Sequence, residues 1–327
     1  MDSFDPQVPL VVSMTDFSQF KRCRKLFDFS FVRGLAPRGE SNVAMQLGSD
    51  FHHLVAQAAR GEALDENEMT PVARAYLETH PLPQKILYVE EPLFTLVQEA
   101  WNGRPAIYLR TTFDLVYLRA PGVYVARDYK TFAAAPSLDV DLDFQGRVYT
   151  VALQRYLSEI HSSARVEFEW EYVRRELSRP LKGKGDVEWT PEERYVNVPM
   201  VMSDLESQTT WEEIQQTALD LVRAIEEKRL YRQDLKAGPH SCSFCAYQRL
   251  CVSEYHQGAL SNIDLELLAV PADPLRGATQ NSILSDPRVR GVVTESPSSI
   301  FALHARIARY YGKAGVELAK KGQNSHA

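Results

Sequence analysis

Between residues 13 and 31 the apolar positions recur at helical spacing, with Phe20, Cys23 and Phe27 three and four apart on one face. Ser13 followed by Asp16 supplies a hydroxyl and a later carboxylate for the orphan amides of a first turn, so a helix from Ser13 to about Phe31 is predicted. It turns Cys23 inward between two aromatic rings. A second stripe, Leu47, Phe51, Leu54 and Val55, predicts a helix from about Ala44 to Arg60, with Gly61 close to its end. After Lys85 the texture becomes β-branched and aromatic, broken by Asn102-Gly103 and by Ala120-Pro121-Gly122. Three strands follow from this, Ile86 to Gln98, Pro105 to Leu118 and Val123 to Tyr129, joined as antiparallel hairpins.

The helical period returns from Leu142 to Tyr156, where Gln145 stands out as a polar residue on a side otherwise made by Leu142, Tyr149, Ala152, Leu153 and Tyr156. Two further strands are predicted at Arg165 to Arg174 and Arg194 to Met200, then a helix from Ser203 to Lys228. Beyond Gln257 the chain turns rich in Pro, Ser, Asp and Asn, and Ile300 to Lys321 reads as a lone terminal helix. No internal repeat at solenoid periods is evident. Residues 1–258 thus read as one domain and 259–327 as a C-terminal extension.

Composition changes this picture little. The 327 residues, 44% hydrophobic and 24% charged, suffice for a sizeable core. No run approaches the roughly 20 apolar residues of a membrane span. The opening residues also lack the order of an export signal, so a cytoplasmic protein with no membrane partner is expected. A net charge of −6 excludes a globally basic nucleic-acid binder and confines any phosphate grip to local patches. Two such patches exist, Lys21, Arg22, Arg24 and Lys25, then Arg174, Arg175, Arg179, Lys182 and Lys184. Each reads equally well as a solvated face.

There are four cysteines, Cys23, Cys242, Cys245 and Cys251. In a reducing compartment disulfides do not persist, whereas four thiolates suffice for one zinc ion or one iron–sulfur cluster. Three thiols packed between residues 242 and 251 are hard to explain as scattered small hydrophobes. Spacing alone leaves zinc and iron–sulfur both open. A site shared with Cys23 requires the fold to bring the two ends of the domain together.

The sharpest chemical signal is Asp114 on one strand and Asp128-Tyr129-Lys130 at the end of the next. Alternation puts Asp128 and Lys130 on one face with Tyr129 turned away. Two carboxylates and an ammonium at a sheet edge are what metal-assisted phosphodiester hydrolysis requires, because carboxylates bind hard Mg²⁺ or Mn²⁺ through oxygen. An Asp-x-Lys by itself is usually a solvated surface pair. Here it closes the buried-looking run Val123 to Ala126. His52, four residues after Gly48 on the same helical face, is a candidate ligand or phosphate contact, with His53 its solvent-side neighbour.

The string Leu47-Gly48-Ser49-Asp50-Phe51-His52, then Asp114, then Asp128-Tyr129-Lys130-Thr131, then Gln145 with Tyr149, resembles the RecB-like branch of the PD-(D/E)XK nucleases. The resemblance implies an α/β restriction-endonuclease-like core, a central mixed sheet flanked by helices. It implies that His52, Asp114 and Asp128, with the backbone carbonyl of Tyr129, hold Mg²⁺ or Mn²⁺. Lys130 would serve catalysis, and Gln145 and Tyr149 would line the site. One cysteine before these motifs and three after resembles the iron–sulfur subset of AddB and CRISPR-associated adaptation nucleases. That implies a 4Fe-4S cluster on Cys23, Cys242, Cys245 and Cys251, joining the N- and C-terminal parts. The family departs here at Arg24, where proline often follows the first cysteine, and at Thr111, where glycine usually stands. The expected activity is a metal-dependent deoxyribonuclease, an exonuclease on single-stranded DNA or DNA ends, in recombination, repair, phage or CRISPR-adaptation contexts. A protein partner would act through the extension. The competing expectation is a non-catalytic DNA-binding scaffold that keeps the fold.

Overall fold

A computed structural model of the chain describes residues 10–32, 35–37, 43–133, 144–158, 164–181, 185–227, 229–231, 242–257 and 269–271. In chain order the elements are β1 (Leu10–Ser13), α1 (Met14–Arg22), α2 (Arg24–Phe27), a π-helical turn (Asp28–Val32), β2 (Leu35–Pro37), α3 (Val43–Ala59) and α4 (Thr70–Thr79). Then come β3 (Ile86–Gln98), β4 (Ile107–Ala120), β5 (Val123–Phe132), α5 (Phe144–Ser158), β6 (Arg165–Arg174), β7 (Ser178–Leu181) and β8 (Gly185–Glu188). The chain continues through α6 (Pro191–Arg194), β9 (Tyr195–Met200), α7 (Asp204–Glu226), a 3₁₀ turn (Cys242–Phe244), α8 (Gln248–Gln257) and β10 (Ala269–Pro271). The residues fall into two compact units, one drawn from 1–39, 96–110 and 213–327, the other from 40–95 and 111–212.

In the first unit β1 lies parallel to residues 107–110 of β4, Leu10 opposite Ile107 and Ser13 opposite Arg110. The predicted capping box is present, Asp16 Oδ2 accepting from the Ser13 N–H at 2.7 Å while the Asp16 N–H donates to Ser13 Oγ at 3.3 Å. The predicted single helix to Phe31 is not what forms. Cys23 is extended, at φ −162° and ψ 115°, and splits the run into α1 and α2 before the π turn. The apolar period continues through the break, because Phe20 and Phe27 still pack edge to face, their centroids 5.4 Å apart. At Asn102-Gly103 both residues take positive φ, 47° and 77°, as a type I′ turn needs, with Trp101 and Arg104 bridged across it. β10 pairs antiparallel with β2. The expected helix over 300–321, Lys182 and Lys184, and the boundary at 258/259 lie outside the described residues.

The second unit is a mixed sheet between helices. β4 and β5 are antiparallel, Leu115 opposite Arg127, and β5 and β6 are parallel, Asp128 opposite Trp170 and Tyr129 opposite Glu171. β6 and β9 are antiparallel, and β3 pairs with β4. Alternation divides the side chains between the two faces. Tyr129 and Val173 pack with Phe51, Leu54 and Val55 of α3 and Val72, Ala73 and Tyr76 of α4. On the other face lie Phe168 and Trp170, with Tyr149 of α5 6.2 Å from Phe168 by ring centroids. Burying nine large side chains in this cluster alone is a major stabilising term, at roughly 1.5–3 kcal/mol each. Among the described residues no helix is long and apolar enough to cross a membrane.

Candidate active site

α3 forms one wall of an open groove of about 740 Å³ in the second unit. Met45, Gly48, Ser49, His52, Ala56 and Arg60 line it at spacings of three and four, which is one face of the helix. β4 and β5 supply the floor. Their ladder runs as far as Leu115 opposite Arg127, and one residue further along Asp114 stands beside the Asp128 end of β5. The Tyr129 N–H donates to Asp114 Oδ2 at 2.7 Å, so the carboxylate takes over a backbone donor at the point where the two strands part.

His52 reaches down from α3, its Nδ1 3.1 Å from Asp114 Oδ1. Burial alone would lower the imidazole pKa. The Asp114 carboxylate, through its charge and this hydrogen bond, and Asp128 behind it raise it to about 9. At neutral pH the metal-free site therefore carries an imidazolium as its own counter-charge. Asp128 is 5% exposed. Burial first, and then the Asp114 charge, push its carboxyl up to about 6, against the pull of Lys130 and His52. Its oxygens are held on two sides, Oδ2 by Lys130 Nζ at 2.6 Å and Oδ1 by Gln145 Nε2 at 3.3 Å. That bond explains the polar Gln145 among the apolar residues of α5. Lys130 Nζ also sits 4.8 Å from the Trp170 ring centroid, over a face that favours a cation.

Gly146 lets α5 approach this closely. A Cβ there would stand 3.2 Å from Met200 Cε and 3.3 Å from the Trp170 indole. Tyr149, one turn on, lines the groove with its ring 5.1 Å from Phe113. Arg127, on the opposite face as alternation requires, is bound to Glu169 at 2.6 Å. The structure thus brings His52, Asp114, Asp128, Tyr129, Lys130, Gln145 and Tyr149 to one groove region. His53 is the exposed neighbour, its Nε2 3.0 Å from Asp65.

Sequence reasoning missed Glu90. One donor atom each from His52, Glu90 and Asp114 lie within 4.8 Å of one another, a set able to surround a metal ion. Glu90 sits inside β3 at φ 55°, the left-handed region, which a non-glycine residue occupies at some cost. Burial and then the Asp114 charge raise its carboxyl pKa. The only trace in the sequence is Glu90-Glu91-Pro92, a charged pair and a proline within a strand pattern, which marks an irregularity.

Residues 11–252 match the PD-(D/E)XK nuclease superfamily. The chain belongs to this superfamily. Two solved structures similar to it are a candidate exonuclease from Eubacterium rectale and a protein named SSO0001. The first shares 13% identity over 73% of this chain and 86% of that one, at a TM-score of 0.41. The second shares 10% over 77% and 88%, at a TM-score of 0.35. No curated protein matches the sequence. The chain carries a D-x-K string at Asp128-Tyr129-Lys130, and the acid on the preceding strand, Asp114, follows Phe113 rather than proline. PD-(D/E)XK nucleases use divalent metals, and imidazole and carboxylate donors of this kind suit Mg²⁺ or Mn²⁺.

The four cysteines belong to the first unit, where they line one cavity of about 60 Å³ with Lys25, Leu26, Phe29 and Tyr247. None is in a disulfide. Cys242, Cys245 and Cys251 are set by short turns, the Cys245 N–H donating to the Cys242 carbonyl at 3.1 Å and the Cys251 N–H to that of Tyr247 at 2.9 Å. Burial raises the Cys245 thiol pKa. Among the described residues no three of these sulfurs stand within 4.8 Å of one another. A tetrahedral zinc with ~2.3 Å bonds needs its sulfurs about 3.8 Å apart.

Proposed function

We propose that the protein is a Mg²⁺- or Mn²⁺-dependent deoxyribonuclease, an exonuclease acting on single-stranded DNA or DNA ends. The observation that carries this reading is the meeting of His52, Glu90 and Asp114 donors within 4.8 Å, beside the Asp128–Lys130 pair. The ion would be held by His52, Asp114 and Asp128, with the Tyr129 carbonyl, and Glu90 stands close enough to join them. A divalent ion there supplies Lewis acidity toward a phosphate oxygen and an attacking water.

The chain's own residues do the rest. Lys130, fixed between Asp128 and the Trp170 ring, presents an ammonium that orients the attacking water and stabilises charge growing on the phosphate. Gln145 keeps the Asp128 carboxylate in place, and Tyr149 bounds the groove where the sugar–phosphate enters. In the reaction water oxygen bonds to phosphorus, the bond to the departing sugar oxygen breaks, and the water proton passes to that oxygen.

In the same reading Cys23, Cys242, Cys245 and Cys251 carry a 4Fe-4S cluster, as in the RecB-like iron–sulfur subset. All four cysteines line one cavity, as a cofactor bound by four thiolates requires. The cluster ties the chain ahead of the nuclease motifs to the chain behind them. Residues 1–258 then form the nuclease with its cluster, and 259–327 an extension that receives a protein partner in recombination, repair or adaptation. The test is end-labelled DNA incubated with Mn²⁺ and anaerobically prepared protein. Wild type shortens strands from an end, and Asp128→Ala and Lys130→Ala do not. Equal activity in the variants sinks the catalytic assignment, and binding without cleavage by wild type returns the protein to the scaffold class.

A further inference from the structure

The groove is longer than a single nucleotide requires. From Met45 in α3 to Arg60, the residue that follows the helix, the lining face covers sixteen residues, about 22 Å along the axis. His52, which marks the metal donors, lies near the middle. The two ends differ in chemistry. At the N-terminal end Met45 is 71% exposed, an unbranched apolar side chain left in solvent at the groove mouth, with Gly48 beside it to keep the wall low. At the C-terminal end the groove is bounded by Arg60, whose Nη2 donates to the Val89 carbonyl at 3.0 Å. That bond fixes the guanidinium while leaving further N–H donors of its fork for an anion. A wall with an exposed apolar contact at one end, hydrolytic donors in the middle and an anchored guanidinium at the other offers the two kinds of contact a single strand takes, apolar to a base and cationic to a phosphate.

We infer that a single-stranded polynucleotide lies lengthwise along α3, with a base against Met45 and a phosphate on Arg60. This deepens the nuclease reading above and rests on it. The distance from His52 to Arg60, about 12 Å of axis, is three to four nucleotides at a stacked rise of ~3.4 Å, and fewer in an unstacked strand.

The path is tested by binding, independently of cleavage. In an Asp128→Asn background, affinity for a labelled oligothymidylate of about twelve nucleotides is measured across a salt series. Arg60→Ala weakens binding roughly tenfold and lowers the slope of log affinity against log salt by about 0.7, the signature of one lost phosphate contact on a single strand. Arg60→Lys, which keeps the charge, restores the slope. Met45→Ala weakens binding roughly threefold with the slope unchanged, because an apolar contact releases no counterions. A parent-like slope for Arg60→Ala, parent-like affinity for Met45→Ala, or tighter binding of a duplex of equal length overturns the path. Cleavage of the same oligonucleotide by wild type in Mn²⁺ is recorded alongside, and its absence overturns the hydrolytic reading while leaving the binding slopes to decide this one.

Discussion

Asp128 is a carboxylate held where water scarcely reaches, at a cost to the fold that Lys130 and His52 offset only in part. Its pKa, raised to about 6 by burial and by Asp114, means that the folded metal-free protein binds that proton more tightly than the unfolded chain does. The sign follows. This group destabilises the metal-free fold above pH 6, and that penalty fades as pH falls through 6 toward 4. Asp128→Asn is therefore expected to abolish cleavage while stabilising the metal-free protein, by on the order of 1 kcal/mol. Paired melting curves and activity assays check this, and a lower melting temperature would show that the Lys130 pair outweighs the buried charge. His52 has the opposite sign. Its raised pKa gives stability that is full below about 6.5 and lost as pH rises through about 9. A metal ligand must be neutral imidazole, so Mn²⁺ uptake at pH 7 should release a proton and tighten as pH approaches 9. Calorimetry in buffers of different ionisation enthalpy measures that proton. Its absence would remove His52 from the ligands.

At the scale of elements, the approach of α5 to β6 sets the Gln145–Asp128 bond, and Gly146 permits it. Gly146→Ala places a methyl 3.2–3.3 Å from Met200 Cε and the Trp170 ring. Overpacking of this kind costs about 1–3 kcal/mol. The variant should stay folded and lose kcat several-fold with KM little changed, and shortening Met200 to Ala should recover part of it. Unchanged kcat would show that the methionine end yields without moving the helix. The ends of β3 and β6 are those the alternation predicts, and α3 and α7 differ by one or two residues, because long amphipathic runs state their own period. α4 was not legible. Its Pro71 reads as a breaker in sequence, yet it sits in the first turn of the helix, where a missing N–H costs nothing. The four residues of β1 are too few to show a period. The break at Cys23 and the left-handed Glu90 were hidden for another reason, since each is a single-residue departure inside an otherwise regular run. The acids and lysine of the groove were legible because alternation fixes their faces, while helical period only marked His52 and Gln145, whose roles came from the family resemblance.

For the whole molecule, the first unit is assembled from three stretches of chain and its cavity of thiols from two of them. A crosslink between Cys23 and the trio closes a loop of roughly 220 residues. Its stabilisation is about 5 kcal/mol by analogy with a disulfide of that span. Cys23→Ser should thus lower the melting temperature and bleach the broad visible absorbance expected of iron–sulfur protein, with iron content falling in step. A colourless wild type carrying stoichiometric zinc would overturn the cluster assignment. The order in which those stretches leave the ribosome adds a further consequence. Cys23 emerges about 220 residues before Cys242, which at ~5–20 residues per second leaves its thiol waiting roughly 10–40 s for companions. Throughout that interval the nascent chain depends on the reducing power of its surroundings, because an oxidised Cys23 could no longer join the later thiols.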